Sequence, residues 1–297
     1  MSHEPVVLVI TVNVDGVPPL PHVTQEVRAI RSTLEGVAEV RVLENPTLDE
    51  VFAVLREDAG MGRIRVFHFA GHASAVALML ADPAGGPALG HAQGLAEYLG
   101  QQRSIELVVL NGCSTRAQIE GLRRAGVGAV VATTRAIKDD VGASFGKTFY
   151  AEVTSKRLKA AFEAATGALK TEWGGNLREL VVHEPEVEQE WSDAQPWVLR
   201  SEARLERWRL PAVDRFALTD ELARVFSRDD QARYLLTRSG FPRGSMPAFR
   251  VPMSFWTEAV ELLDDGVLGP EIDGVQRVVD EAVGMFPGNG FFSSNCS

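Results

Sequence analysis

The feature that most constrains this chain lies in its first two hundred residues, where short apolar runs alternate with stretches of helical period. Val6 to Val12, Ile64 to Ala70, Ile105 to Leu110 and Ala129 to Ala132 are predominantly apolar runs of strand length. Between the first two lie a helix carrying Val27, Ile30 and Leu34, a strand with Ala38, Val40 and Val42 at period two, and a second helix. Strands apolar on both faces need cover on both faces, and strands alternating with helices pair in parallel. The pattern therefore predicts an α/β fold, a mostly parallel sheet sandwiched by helices. Thr47-Leu48-Asp49-Glu50 reads as a capping box opening the helix that turns Val51, Val54 and Leu55 inward. A short extension from Ala77 to Leu80 meets a turn at Asp82 to Gly86, a helix ends near Gly100, and two helical segments broken near Ser155 follow the last of these strands.

From His183 to Gln195 the sequence turns acidic and polar, and residues 183–196 are expected to form a surface excursion before the strand-like Trp197 to Leu199. Beyond Pro211 the period becomes helical throughout, with Leu218, Leu222, Val225 and Phe226, then Leu235 and Leu236, then Phe255, Trp256, Leu262 and Leu263, then Val275, Val278, Val279 and Ala282. That predicts a small helical bundle. The expected organisation is an α/β domain over 1–211, a helical domain over 213–292 and a tail at 293–297.

With 30 basic against 40 acidic residues the formal charge is −10, which argues against a protein that grips nucleic acid phosphates. Cys113 and Cys296 offer neither a disulfide framework nor metal-ligand spacing, which suits a reducing compartment. The first apolar run has no basic flank and is followed at once by Asn13 and Asp15, so it reads as a strand and not as a signal peptide. No apolar stretch approaches the roughly 18 residues of a membrane span, and a cytoplasmic location without membrane partners is expected.

Two neighbouring strands end in chemistry-bearing residues. One runs into Phe69-Ala70-Gly71-His72, the other into Asn111-Gly112-Cys113-Ser114. In an open parallel sheet the carboxyl ends of strands are where sites form, so an imidazole base and a thiol arrive at one edge. Gly112 allows a sharp turn. Thr115-Arg116-Ala117-Gln118 reads as a second capping box, which sets Cys113 at a helix N-terminus. The alternative is a small buried cysteine and a hydrogen-bonded strand-end histidine, and the residues alone leave both open. His68 is about 13 Å along the strand from His72, too far to share a metal, and is expected in a supporting or core role.

His68-Phe69-Ala70-Gly71-His72, then Leu78 to Asp82, then Leu107 to Thr115, then Gly126 to Ala132 with Asp139 and Phe149-Tyr150, resembles in that order the CHAT family of caspase-like cysteine proteases over about residues 5–200. The resemblance implies that His72 is the general base and Cys113 the nucleophile. Backbone N–H groups of Ala73 and Cys113 then hold the oxyanion, with no cofactor and no metal. The family usually has glycine where this chain has Ala73, a departure that matters if the position needs φ > 0. Asn111 and Gly112 stand where Ser-Ala is often seen. Asp139 and Asp140 carry two readings: an N-cap before Val141, which the sequence favours, or an acidic floor for a basic substrate side chain, as in related arginine- and lysine-specific proteases. Gly146-Lys147-Thr148 only echoes a phosphate loop, because Val141 holds the first glycine position.

Leu218 to Phe226, Tyr234-Leu235-Leu236, Gly240 to Gly244, Met246-Pro247, Phe255-Trp256 and Phe286 to Asn289 resemble an effector-associated domain of the first type, over about 213–292. Such domains look like death-fold-like adaptors that pair with like domains. Together the two resemblances imply a cysteine endopeptidase with a protein or peptide substrate. It would be recruited through a homotypic partner domain, in bacterial immunity or programmed cell death. The rival readings are a pseudoprotease scaffold, which Ala73 keeps open, and a cysteine hydrolase of non-peptide esters or amides.

Overall fold

A computed structural model describes residues 5–59, 62–173, 196–202, 205, 208, 210, 215–269 and 272–296. Its contacts divide the chain into two compact units, 1–210 and 211–297. The acidic stretch at 183–195 lies outside the described residues.

The first unit is built on a six-stranded sheet in the order β2-β1-β3-β6-β7-β8. Its members are β1 (Val6–Thr11), β2 (Glu39–Glu44), β3 (Ile64–Ala70), β6 (Leu107–Asn111), β7 (Ala129–Thr133) and β8 (Trp197–Ser201). Strands β1, β3, β6 and β7 are buried along their whole length, as their predominantly apolar runs lead one to expect, with Arg65 and His68 of β3 buried among them. All pairings are parallel except β7 with β8. The Ala77 to Leu80 extension and the Asp82 turn form a separate hairpin of β4 (Ala77–Ala81) and β5 (Pro87–His91).

Alternation along the strands assigns the two faces. Val6, Leu8 and Ile10 of β1, Phe67 and Phe69 of β3, and Val108 and Leu110 of β6 join one core with residues of α2 (Leu48–Ala59), α3 (Ala92–Gln101) and α4 (Ile119–Arg124). The residues between them face α1 (Val23–Leu34) and α5 (Asp139–Val153), with α6 (Leu158–Glu172) packed on α5. At the start of α2 the Thr47 N–H donates to Glu50 Oε2 at 2.8 Å and the Glu50 N–H to Thr47 Oγ1 at 3.3 Å, the reciprocal pair the sequence predicts. Those bonds hold the Glu50 carboxyl below its ordinary pKa.

The chain enters the sheet at β1, places β2 on one side and β3 on the other, and so reverses direction between β1 and β3. Such a reversal opens a crevice at the carboxyl ends of the strands. The loops after β1, β3, β6 and β7 all leave from that edge.

The second unit consists of α7 (Arg215–Val225), α8 (Asp229–Arg238), α9 (Pro252–Asp264), α10 (Gly274–Met285) and α11 (Gly290–Ser294) around Leu218, Leu222, Phe226, Leu235, Phe255, Trp256, Val278 and Phe292. Trp256 satisfies its indole N–H on the Phe226 carbonyl at 3.2 Å. Gly240, at φ +85°, follows α8 in the left-handed conformation that ends many helices. Asp273 caps α10 through the Gln276 N–H and Asn289 caps α11 through Phe291 and Phe292.

Candidate functional site

A cavity of about 470 Å³ lies at the sheet edge where the four loops meet, lined among others by Pro18, Glu26, His72, Asn111, Cys113 and Asp139. His72 follows β3 and Cys113 follows β6, so adjacent parallel strands bring both to one cavity. The turns that carry them pack backbone to backbone: a Cβ on Gly112 would stand 2.6 Å from the Gly71 carbonyl oxygen and 2.8 Å from Ala73 Cβ. Only glycine permits that approach.

His72 is half-buried, and its Nε2 lies 2.7 Å from the Pro18 carbonyl oxygen. A carbonyl only accepts, so Nε2 carries the proton and the neutral ring keeps its lone pair on Nδ1. The loop after β1 thus fixes which nitrogen can take a proton. Cys113 is half-buried, with Sγ 4.0 Å from the Ile137 carbonyl oxygen. The next residue, Ser114, has φ 55° and ψ 36°, one of two non-glycine positive-φ residues among the described ones. A left-handed non-glycine residue costs about 1–3 kcal/mol that its surroundings must hold, and here, beside Cys113, the Ser114 N–H donates to the Arg135 carbonyl at 3.1 Å.

The Thr115 to Gln118 capping box does not form. Those residues make a turn of 3₁₀ helix, and Ser114 gives it no side-chain cap. The Thr115 hydroxyl turns inward to the Leu110 carbonyl at 3.0 Å and to Thr133, while Gln118 donates to the Ser74 carbonyl at 2.7 Å. Cys113 therefore does not sit at the start of an α-helix.

Ala73 is not among the positive-φ residues, so alanine meets no steric penalty there. It forms an antiparallel bridge with Leu78 through the Met79 N–H to His72 carbonyl and Ser74 N–H to Ala77 carbonyl bonds, both 2.9 Å. That pattern leaves the Ala73 N–H outside the pairing.

Asp139 is the first residue of α5, and the flanking N-cap position is Lys138, so the N-cap expectation is corrected. The Asp139 carboxylate instead accepts from the backbone N–H of His22, at 2.6 Å, with the His22 ring Nδ1 3.0 Å away. It serves the start of α1, where an anion meets the positive end of that helix. Asp140 is exposed and accepts from the Val141 N–H, and it does not line the cavity. The cavity's charged lining is Glu26, Asp139 and Lys138 beside His72.

Beneath the cavity lies a polar cluster that the sequence reading missed apart from His68. Glu26 is 3% exposed and His68 fully buried. Asn111 Nδ2 donates to Glu26 Oε1 at 2.7 Å and to the Gly142 carbonyl at 2.8 Å, and Asn111 Oδ1 accepts from Trp197 Nε1 at 3.1 Å. His68 Nε2 lies 3.1 Å from the same Glu26 oxygen, off the line of a proper hydrogen bond, and Nδ1 is 3.2 Å from the Tyr150 hydroxyl. Burial, with the Glu26 charge added, pushes the Tyr150 phenol well above its ordinary pKa, so it stays an O–H donor. Gly142 and Gly146 of α5 leave room for Asn111 and Glu26, which accounts for the glycine of the Gly146-Lys147-Thr148 triplet. Among the described residues no group of three or more His, Cys, Asp and Glu could hold a metal ion, and no helix is long and apolar enough to cross a membrane.

In the second unit, Arg238 pairs with Glu281 at 2.9 Å, Asp264 accepts a two-pronged bond from Arg215 at 2.6 and 2.8 Å, and Asp273 is a helix cap. Arg243, Arg250 and Asp265 are exposed.

Several solved structures share features with this chain. The structure of pro-sf-caspase-1 is 10% identical with a TM-score of 0.45, covering 71% of this chain and 90% of that one. A secreted C11 cysteine protease from Bacteroides thetaiotaomicron, in complex with an irreversible peptide inhibitor, is 9% identical with a TM-score of 0.42, over 73% and 70%. Chaetomium thermophilum Raptor is 10% identical with a TM-score of 0.36, over 97% of this chain and 34% of that one. No curated protein sequence matches the chain. Residues 208–294 match effector-associated domain 1, and residues 3–195 match the CHAT domain. With about two thirds of its length in that match, the chain belongs to the CHAT domain family.

Proposed function

We propose that this protein is a cysteine endopeptidase in which His72 is the general base and Cys113 the nucleophile, brought to its substrate by the helical unit, in bacterial immunity or programmed cell death. The observation that carries the reading is the shared cavity of His72 and Cys113, with His72 Nε2 tied to the Pro18 carbonyl. Nδ1 takes the Cys113 proton, and the thiolate attacks a peptide carbonyl carbon. The Ala73 N–H, outside its strand pairing, and the Cys113 N–H hold the oxyanion. The C–N bond then breaks as His72 returns the proton to the leaving amine. Water, activated by the same histidine, releases the acyl group from sulfur.

Asp139 is the candidate for recognising a basic side chain before the scissile bond, with Glu26 deeper in the same cavity. The helical unit supplies the address by binding a like domain on another protein. The scaffold alternative drew its support from Ala73, whose backbone conformation removes that objection to catalysis. Incubating the purified chain and Cys113→Ala with a peptide library tests the reading: products that depend on Cys113 support it, and their absence against every peptide overturns it.

A further inference from the structure

Two clefts flank the nucleophile, and their charges are opposite. The cavity on the Cys113 side carries Glu26 and Asp139 against the one cation Lys138, a net negative lining among the described residues. A second cleft, of about 550 Å³, begins at the very next residue and is lined by Ser114, Arg116, Glu120, Thr134 and Arg200 among others. The same two stretches of chain run from one cleft into the other. Cys113 lines the first and Ser114 the second; Ala136 to Asp139 line the first and Thr134 the second. They are tied side by side by the Ser114 N–H to Arg135 carbonyl bond, with Cys113 Sγ near the Ile137 carbonyl. The residue at which the lining passes from the first cleft to the second, Ser114, is left-handed at φ 55°. An extended peptide whose scissile bond lies at Cys113 has one cleft for each side of that bond.

Arg116 and Arg200 are both exposed, and among the described residues neither guanidinium has a carboxylate partner; Arg200 Nη1 donates only to the Leu199 carbonyl at 3.2 Å. Among the described residues Glu120 is the single acid lining this cleft. Among the described residues, two guanidiniums against one carboxylate, in a protein of net charge −10, make a local positive site where forked donors suit carboxylate oxygens.

We propose that this second cleft binds the substrate residues that follow the scissile bond and that Arg116 and Arg200 select acidic side chains there. The substrate class is then a segment with a basic residue before the cut and acidic residues after it. This rests on the protease reading for its orientation, while the cleft itself can be tested without turnover.

The test uses three peptides alike up to the scissile bond and carrying Glu-Asp, Gly-Ser or Lys-Lys after it. Wild type should cleave the acidic peptide with kcat/KM about fivefold above the basic one, the size that two exposed ion pairs supply, and the ratio should shrink at high salt. Arg116→Glu with Arg200→Glu should invert the ratio, Arg116→Gln with Arg200→Gln should level it, and Glu120→Gln should widen it. Binding of the same peptides to full-length Cys113→Ala, followed by fluorescence anisotropy, reads the cleft independently and should show the same order. Equal affinities for the three peptides, or an order that survives the charge reversal, overturn the proposal. If wild type cleaves none of them while Cys113→Ala still ranks them through the two arginines, the protease reading falls and the cleft stands.

Discussion

A Cβ placed on Gly112 would stand 2.6 Å from the carbonyl oxygen of Gly71, so the turn bearing Cys113 and the turn bearing His72 touch through their backbones. It would also stand 2.8 Å from Ala73 Cβ, and neither obstacle is the far end of a flexible side chain. Gly112→Ala must therefore separate the two turns at a cost of about 1–3 kcal/mol, and it should lower both the melting temperature and peptide turnover. A melt and a cleavage assay on one preparation check it; full activity at unchanged stability would show that the turns can move apart freely.

Cys113→Ala and His72→Ala should each abolish peptide cleavage and leave the fold intact, because a nucleophile without its base and a base without its nucleophile are equally idle. The double variant should be no worse than either single one. Labelling by a thiol-reactive inhibitor should vanish at Cys113 and persist at the exposed Cys296, which mass spectrometry can separate.

Much of this was legible from sequence because it is local. Strand and helix periods follow from which faces are buried, and the Thr47/Glu50 capping box closes within four residues. His72 and Cys113 could be paired because they end neighbouring apolar strands. The hidden parts join positions far apart in sequence: Glu26 to Asn111, Tyr150 to His68 and Trp197 to Asn111 are brought together by strand order, which leaves no periodic trace. Pro18 contributes a carbonyl that any residue possesses, although its place after β1, at the same sheet edge, was a usable signal. Thr115 to Gln118 has the composition of a capping box, but the left-handed Ser114 turns the Thr115 hydroxyl inward.

Ala73→Gly should leave turnover unchanged and cost about 0.5–1 kcal/mol of stability, since the native backbone there already suits alanine and glycine only adds freedom to the unfolded chain. Steady-state kinetics beside a denaturant titration decide it. A marked rise in turnover would mean that the position visits positive φ during catalysis.

The buried cluster gives a graded series. Tyr150→Phe removes one donor from His68 and should cost about 1 kcal/mol. Asn111→Leu strands the Trp197 indole N–H and the Gly142 carbonyl and removes a donor from Glu26, so it should cost on the order of 3 kcal/mol or more. Urea midpoints rank the two, and an Asn111→Leu no less stable than Tyr150→Phe would show that the amide is not the link between α1, β6 and α5.

Asp139→Asn should lower cleavage after arginine or lysine more than cleavage after neutral residues, because it removes one of the cavity's two carboxylates while an amide oxygen can still accept from the His22 N–H. The contrast between basic and neutral substrates separates recognition from a general loss of stability. Equal losses on both substrate types would assign Asp139 to holding the start of α1 alone.

Every residue in the candidate dyad and its cavity lies within 1–210, and the helical unit at 211–297 is compact by its own contacts. Deleting residues 213–292 should therefore leave cleavage of a short peptide largely intact and impair cleavage of the physiological protein target. Several charges of the helical unit are already engaged within it. Arg238 is taken by Glu281, Asp264 by Arg215 and Asp273 by the start of α10, while Glu271 lies outside the described residues. Arg243, Arg250 and Asp265 remain exposed, so a charge-steered contact with a like domain should run through the arginines. Binding of full-length Cys113→Ala to a partner domain should weaken with added salt and on Arg243→Glu. Salt-independent binding untouched by that reversal would sink the charge contact, and undiminished cleavage of the protein target by the truncated chain would sink recruitment itself.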